Sequence, residues 1–338
     1  MTRSPLPAGA PDRAVSTVLD AAVFLLLVSA AIGLLYTVPQ SGDGPENDPD
    51  VAAEATTTLA TSTATIEYTP APDGDAADAG AIRTDRGTIA ELLAETTVAN
   101  ARFDDEPFSR APTHETAVRN ATRRAIARFD GDVEIQVRTR WRPLQGSGLQ
   151  AGLVVGPSPP DDVDVHAATV AVPVDAATGT APATPNWTLP VADATNDEAD
   201  DDDAGDGADA DAASITGEPR GTLATIAAEG GCDDLARSIA VRTVGAVFPP
   251  ERTHTALIAG GAVTTATKQR YATASSAVDL NSDVVPDDAG ARTRNSLLAQ
   301  TLTDRLEPVA CEGYDKTAQA ASAASPTTVT VSIRTWSS

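Results

Sequence analysis

The sequence predicts an α+β fold: a single N-terminal transmembrane helix, then an extracellular domain of helices packed on a small, mostly antiparallel sheet, with disordered acidic linkers. Three observations support this expectation. One long apolar segment lies near the N-terminus, and amphipathic helical patterns alternate with short β-branched runs after residue 80. Finally, acidic stretches that contain no Lys or Arg separate these patterns.

The apolar segment runs from Val15 to Val38 and contains one formal charge, that of Asp20. A helix of this length spans about 36 Å, which exceeds the roughly 30 Å of a bilayer's hydrocarbon core. Arg3 and Arg13 precede the segment, and no Lys or Arg follows it until Arg83. Because positive flanks stay in the cytoplasm, we expect a single-pass protein of the cell membrane with its N-terminus inside and its C-terminal domain outside. A cleaved secretion signal, the competing interpretation, has a shorter apolar stretch.

Composition divides the chain into six segments. These are a cytoplasmic leader (1–14), the transmembrane helix (15–38), an extracellular stalk (39–80), the first part of the ectodomain (81–192), an acidic disordered linker (193–213) and the second part of the ectodomain (214–338). The stalk is rich in Pro, Ala, Thr, Asp and Gly, so we expect it to be extended, with one short candidate strand at Ala64–Tyr68. Whether the two ectodomain parts form one domain or two stays open.

The first part of the ectodomain begins with helical signals. Thr88 and Glu91 form a candidate capping box for a helix that ends near Phe103. Apolar residues at spacings of three and four predict a second helix from Thr113 to Phe129. Alternation of Val and Ile with polar residues then predicts a half-buried strand from Val133 to Trp141.

Similar signals recur later in the chain. A strand is predicted at Val163–Val174, a helix around Leu298, Leu302 and Leu306, and a last strand at Val329–Trp336. The last strand and the one before residue 142 share an I/V-x-V/I-R-T motif that ends in or near Trp. We therefore expect these two strands in one sheet, with helices packed on one of its faces.

The charge of the chain limits its partners. Acids number 48 and bases 24, which gives a formal charge of -24, and only two of the bases are lysines. The carboxylates of such a surface repel one another over a Debye length of about 8 Å in ordinary salt, which shrinks to roughly 3 Å in molar salt. Because molar salt screens this repulsion, the composition favours an extreme halophile as the source. Nucleic acid is not expected as a partner, because phosphate binding needs clustered Lys and Arg.

The leader carries a family resemblance. The junction Asp12-Arg13-Ala14-Val15-Ser16-Thr17-Val18 resembles the class III leader of archaeal type IV pilins and pilin-like proteins. The resemblance implies cleavage between Ala14 and Val15 by a prepilin peptidase, with the apolar helix retained. The longer stretch RAVSTVLDAAVFLLLVSAAIGLLYTVP is similar to an uncharacterised group of haloarchaeal membrane proteins associated with type IV-like secretion or pilus systems. Other pilin-like subunits, or a secretion platform, are the partners that this resemblance implies.

Asp20 allows two interpretations. As the sixth residue after the implied cut, it could attract the freed amino group of a neighbouring subunit during assembly. Alternatively, it lies one turn inside the cytoplasmic face and simply reaches water. Residues 11–38 carry the pilin-like resemblance, and the remaining 300 residues differ from the smaller β-rich head of a typical pilin, so an accessory component is expected rather than a major subunit.

Cys232 and Cys311 are the only cysteines in the chain. Outside the membrane, a pair of cysteines most simply forms a disulfide, here between residues that flank predicted helix ends. Two unpaired buried thiols and a redox or metal role are the alternatives. Asn120 and Asn186 each begin an N-x-T sequence and are glycosylation candidates, Asn186 being in a Pro- and Thr-rich loop.

Motifs for catalysis, cofactors and metals are missing from the sequence. The three histidines have no metal-ligand spacing, and no nucleophile elbow, phosphate loop or dinucleotide fingerprint occurs. The aspartates after residue 200 lack the closing Glu of a calcium loop and are interpreted as a charge run. We therefore expect a non-enzymatic surface protein without cofactor: a pilin-like accessory component first, an anchored ectodomain that binds a ligand or cell-envelope partner second, and an exported hydrolase third.

Overall fold

The computed structural model describes residues 49–70, 82–129, 133–174, 223–281, 284–286 and 288–337. Its helices, in chain order, are α1 (Pro49–Thr61), α2 (Ile89–Ala99), α3 (Pro112–Ile126), α4 (Leu223–Val247), α5 (Pro250–Ile258), α6 (Gly261–Ala277), α7 (Ala291–Leu306) and α8 (Thr317–Ala323). Its strands are β1 (Thr63–Tyr68), β2 (Arg83–Thr88), β3 (Arg102–Phe103), β4 (Glu106–Pro107), β5 (Val133–Trp141), β6 (Leu149–Val155), β7 (His166–Pro173) and β8 (Thr328–Ser337). Short 3₁₀ turns follow α3 and α7.

Most of the strands form one antiparallel sheet with the order β4-β3-β6-β5-β8-β7. Strands β5 and β8 are direct neighbours, with Val137 opposite Ile333, as their shared motif predicted. The described residues before 175 and after 222 belong to a single unit, since β8 pairs with both β5 and β7, so the two ectodomain parts form one domain. The expectation of a mixed fold with antiparallel strands is confirmed.

The sheet has one face in the hydrophobic core. Val137 and Trp141 of β5 are fully buried, as are Val331 and Ile333 of β8, because alternate residues of a strand point to the same side. The indole Nε1 of Trp141 donates a hydrogen bond to the carbonyl of Pro326 at 2.9 Å. Helices α1 and α2 contact the sheet and belong to the same core.

Helix α2 is central to this packing. It contacts strands of the sheet as well as α4, and most of its residues are buried. The predicted capping box is present: Thr88 Oγ1 accepts from the Glu91 amide, and the Glu91 side chain accepts from the Thr88 amide. The helix ends at Ala99, earlier than predicted, and the side chain of Asn100 accepts a hydrogen bond from the Ala111 amide.

The structure corrects the prediction of an extended stalk. Between residues 49 and 68 the chain is folded rather than extended, because α1 buries Ala52, Ala55 and Leu59 in the core. Strand β1 then pairs antiparallel with β2, which confirms the candidate strand at 64–68. The leader, the apolar segment 15–38 and the linker 193–213 lie outside the described residues. Among the helices that are described, none is long and apolar enough to cross a membrane.

Candidate functional site

A cavity of about 200 Å³ lies among the β1–β2 hairpin, the α2–α3 segment and helices α5 and α6. Apolar side chains such as Val174, Val247 and Ala256 form part of its wall. Packing between elements brings these segments together: α6 contacts strand β4, and α3 contacts strand β1. The cavity therefore joins residues as distant in the chain as Tyr68 and Thr273.

The charged side chains that line this cavity are mostly basic. Among the described residues they comprise four arginines and two carboxylates: Arg83, Arg110, Arg252, Arg270, Asp85 and Glu95. The balance is positive by two charges, four minus two, in a chain whose formal charge is -24. Arg252 is paired, since its Nη1 lies 3.2 Å from Oε2 of Glu95. The remaining excess of positive charge favours an anion inside the cavity.

Arg270 is held in place by neutral groups. Its Nε and Nη2 donate to Ser109 Oγ at 3.2 and 3.0 Å, and Nη2 also donates to the Val247 carbonyl at 3.1 Å. The guanidinium lies over the Phe248 ring, 5.2 Å from its centroid, and burial lowers the pKa of Arg270. Within the described part of the chain no carboxylate pairs with it, and its Nη1 makes no hydrogen bond. The Nη1 edge of the Arg270 guanidinium is therefore available to bind a ligand.

A network of four polar side chains lies beside the same cavity, and three of them, Tyr68, Asp85 and His114, line it. Asp85 Oδ2 lies 3.3 Å from Nε2 of His114 and accepts a hydrogen bond from the Tyr68 hydroxyl at 3.0 Å. Thr96 Oγ1 lies 2.9 Å from Nδ1 of the same imidazole. The hydrogen bond with His114 lowers the pKa of Asp85 against the opposing effect of burial, and a second bond from Tyr68 lowers it further. Burial, together with the charge of Asp85, raises the pKa of Tyr68 to about 12.

The network holds the imidazole on both sides. With Thr96 at Nδ1 and Asp85 at Nε2, neither ring nitrogen of His114 is left to exchange a proton with a molecule in the cavity. Thr96 is fully buried and does not line the cavity, so its hydroxyl is not placed as a nucleophile. The arrangement chiefly fixes the hairpin β1–β2 against α2 and α3.

The predicted disulfide is present. Cys232 and Cys311 are bonded, with their Cα atoms 5.9 Å apart and 79 residues of separation. Gly231 interrupts α4 with a φ of 86°, a value that L-residues rarely adopt, and Cys232 begins the helical run after this break. Cys311 follows the 3₁₀ turn after α7, so the bond ties α4 to the end of α7, near predicted helix ends.

The other sequence candidates are dispersed or lie elsewhere. Asn120 is exposed on α3, which leaves it accessible as a glycosylation candidate. Arg13, Ala14, Val15 and Asp20 fall outside the described residues, as does Asn186. In the described ranges no group of three or more His, Cys, Asp or Glu side chains is arranged to hold a metal ion.

The cavity arginines were not anticipated from the sequence. Arg83, Arg110, Arg252 and Arg270 come from four separate elements, so no local motif joins them. Arg270 stands out only locally, because α6 contains just two basic residues, Lys268 and Arg270, among mostly small and polar ones. Only the packing of α6 against the α2–α3 segment turns these positions into one site.

Comparison with known proteins identifies a matching family but no matching individual protein. No curated protein and no solved structure is similar enough to the chain to be matched. Residues 19–336 match the family described as "Family of unknown function (DUF7284)". Because this match covers most of the apolar segment and nearly all of the folded domain, the chain belongs to that family.

Proposed function

We propose that this protein is a membrane-anchored surface protein whose ectodomain binds a small anionic ligand in the arginine-lined cavity. The observation that carries the proposal is Arg270, a fixed guanidinium without a carboxylate partner among the described residues. The described part of the surrounding wall has two excess positive charges. A guanidinium presents a planar fork that fits a carboxylate or phosphate in two-point contact. The apolar part of the wall adds a preference for an anion with a small hydrocarbon body.

The proposed membrane anchor and its orientation are inferred from the sequence alone. The apolar segment 15–38 supports a single pass, and the arginines before it support an N-terminus in the cytoplasm. In this arrangement the cavity faces the outside of the cell, where it would meet solutes or cell-envelope components. The charge of -24 supports an environment of high salt.

Ligand binding is tested by thermal shift of the full chain in detergent, with phosphate, acetate, succinate and octanoate as probes. A probe at 100 times its Kd stabilises the folded state by about 2.7 kcal/mol. We expect Arg270→Gln and Arg110→Gln to abolish the shift that the best probe gives, while Arg123→Gln, an exposed arginine on α3, leaves it unchanged. If no probe discriminates between the cavity variants and the control, the cavity is not an anion site.

A second candidate function is favoured by the leader. We propose that the anchored protein is a pilin-like accessory component of a type IV pilus or secretion-like assembly, which is compatible with ligand binding. Arg13 and Ala14 directly precede the apolar start at Val15, and Asp20 follows at the position where it could attract a neighbouring amino group. The intact mass of membrane-extracted protein should show the loss of residues 1–14. A species that keeps Met1 would remove this proposal.

Catalysis is the least supported alternative. An exported hydrolase needs a general base with a free nitrogen or oxygen facing its substrate. Both nitrogens of His114, the histidine that borders the cavity, are engaged by Thr96 and Asp85. We therefore propose a binding role without turnover, and hydrolysis of a nitrophenyl ester panel above the level of a His114→Gln variant would contradict it.

A further inference from the structure

The outer face of the large sheet, opposite the core, carries a row of arginines. Burial alternates along β5, so Val137 and Trp141 face the core while Arg138 and Arg140 are exposed on the other side. The register aligns Arg138 with Ser332 of β8 on that outer side. None of these outer-face residues lines the cavity described above.

Five arginines share this face, and strand pairing or hydrogen bonding places each of them there: Arg102, Arg138, Arg140, Arg142 and Arg334. Among the outward strand positions of β5, β6 and β8, Glu134 is the one acid. The face is therefore basic in a chain that has twice as many acids as bases.

These arginines are not neutralised within the described part of the protein. None of the five forms an ion pair there. Arg142 donates to Gln150 Oε1 at 3.3 Å, and Arg334 donates to Gln136 Oε1 at 3.4 Å, so their partners are neutral amides. Asp161 shares a groove with Arg138 and Arg334 beside the loop after β6 but forms no ion pair with either.

The row has a regular spacing. Arg138 and Arg140 are two residues apart in β5, which corresponds to about 7 Å along the strand, and Arg142 continues the alternation one residue past the end of β5, beside Gln150 of β6. An extended polypeptide with an acid at every second position presents its carboxylates at the same interval. Each arginine could then meet one carboxylate, and the planar fork of the guanidinium suits that contact.

We propose that this outer face binds a short, extended acidic segment of a partner protein, with alternate carboxylates opposite the row Arg138–Arg140–Arg142. Charge complementarity supports the acidic partner, because the face is basic while the chain as a whole is not. The row is only about 14 Å long. A short acidic segment can end where the row ends, whereas a nucleic acid would carry its phosphates onto the acidic remainder of the protein.

The experiment measures fluorescence anisotropy of a fluorescein-labelled (Glu-Ser)₆ peptide with the full chain in detergent. Replacing Arg138, Arg140 and Arg142 together by Gln should raise the Kd about tenfold, which is within the range for three exposed charge pairs. Arg140→Gln alone should give a smaller increase and serves if the triple variant fails to fold. A Glu₆Ser₆ peptide, with equal charge but different spacing, should bind more weakly than the alternating one.

The matched control removes the same charge elsewhere. Arg123, Arg124 and Arg292 are exposed on helices, and their joint replacement by Gln should leave the Kd of the alternating peptide unchanged. Equal losses in both triple variants, or absence of binding by the unmodified protein, would overturn the proposal. So would tighter binding of a twelve-residue oligothymidylate, which would indicate nucleic acid. Binding that emerges only after the acids of 193–211 are replaced by Asn and Gln would also overturn it, because the chain's own acidic run would then be the occupant.

Discussion

Nε2 of His114 lies 3.3 Å from Oδ2 of Asp85, which joins the first turn of α3 to strand β2. Tyr68 adds a contact from β1, with its ring edge against the imidazole at a centroid distance of 4.8 Å. The hairpin β1–β2 is thus tied to the helical part of the domain at one polar point. That point also forms one wall of the arginine-lined cavity.

Asp85→Asn should destabilise the protein in a pH-dependent way. Because contact with His114 lowers the pKa of Asp85, the carboxylate stabilises the fold above its unfolded pKa of about 3.9, and this contribution is lost as the pH falls through the lower folded value. At pH 7 we expect a loss of about 1–3 kcal/mol in the free energy of unfolding, shrinking below about pH 4. Urea denaturation across this pH range measures it, with the exposed Asp162→Asn as control. A deficit that is constant from pH 7 to 3 would mean that the charge is not involved.

Leu59→Ala should cost about 2–5 kcal/mol of unfolding free energy, because the Leu59 side chain is fully buried in the core and its removal leaves a cavity. Chemical denaturation measures the loss. Thr57→Ala, an exposed change in the same helix, should have little effect. If both variants unfold like the unmodified protein, residues 49–61 would not be part of the folded domain, and the prediction of an extended stalk would hold.

Helix α1 illustrates what the sequence pattern could and could not predict. Its residues AAEATTTLAT are mostly small and polar, which matches a stalk in composition, yet Ala52, Ala55 and Leu59 recur at spacings of three and four. The periodic signal was weak because alanine buries little area per residue. In contrast, the capping box of α2 and the alternation in β5 were local patterns with strong side chains, and both were confirmed.

Replacing Cys232 and Cys311 together by Ala should lower the free energy of unfolding by about 4–5 kcal/mol, as expected for a crosslink that closes a loop of about 80 residues. Denaturation of the unmodified protein with and without a phosphine reductant gives the same comparison without mutation. Non-reducing peptide mapping after thiol blocking provides the direct check. Recovery of both cysteines as blocked thiols would refute the bond.

Thr243→Val should stabilise the protein by about 1 kcal/mol. The Thr243 hydroxyl is fully buried in α4 and has no hydrogen-bond partner among the described residues, so removing it relieves a desolvation cost. The melting temperature should rise by about 2 °C. Thr97→Val is the matched control, because the Thr97 hydroxyl donates to the Leu93 carbonyl and pairs with Thr139, and this variant should melt lower. Equal shifts in both variants would show that the hydroxyl contacts do not decide the outcome.

Salt should raise the melting temperature of the whole chain. A formal charge of -24 produces self-repulsion that is screened as the ionic strength rises from about 0.2 M to 3 M. Calorimetry in KCl measures the shift, and sucrose at matched water activity separates screening from general exclusion effects. A melting temperature that does not respond to KCl would mean that the acidic surface serves another purpose.

The cavity shows the limit of local patterns. Arg270 and Arg110 are separated by 160 positions, and only the packing of α6 beside the α2–α3 segment brings them to one wall. The disulfide was predictable because two cysteines allow only one pairing. Four arginines among many allow no such deduction, since nothing in the spacing of Arg83, Arg110, Arg252 and Arg270 indicates a shared location.

Strand β8 has a consequence for the order of events during synthesis. It lies between β5 and β7, although it comes more than 150 residues after β7 along the chain. Until residues 328–337 have been made, β5 and β7 each lack a neighbour and leave backbone groups open to wrong pairing. During much of translation, the nascent chain therefore exposes the unpaired edges of β5 and β7 to other strands. A chaperone, or rapid completion of synthesis, would protect these edges from wrong pairing.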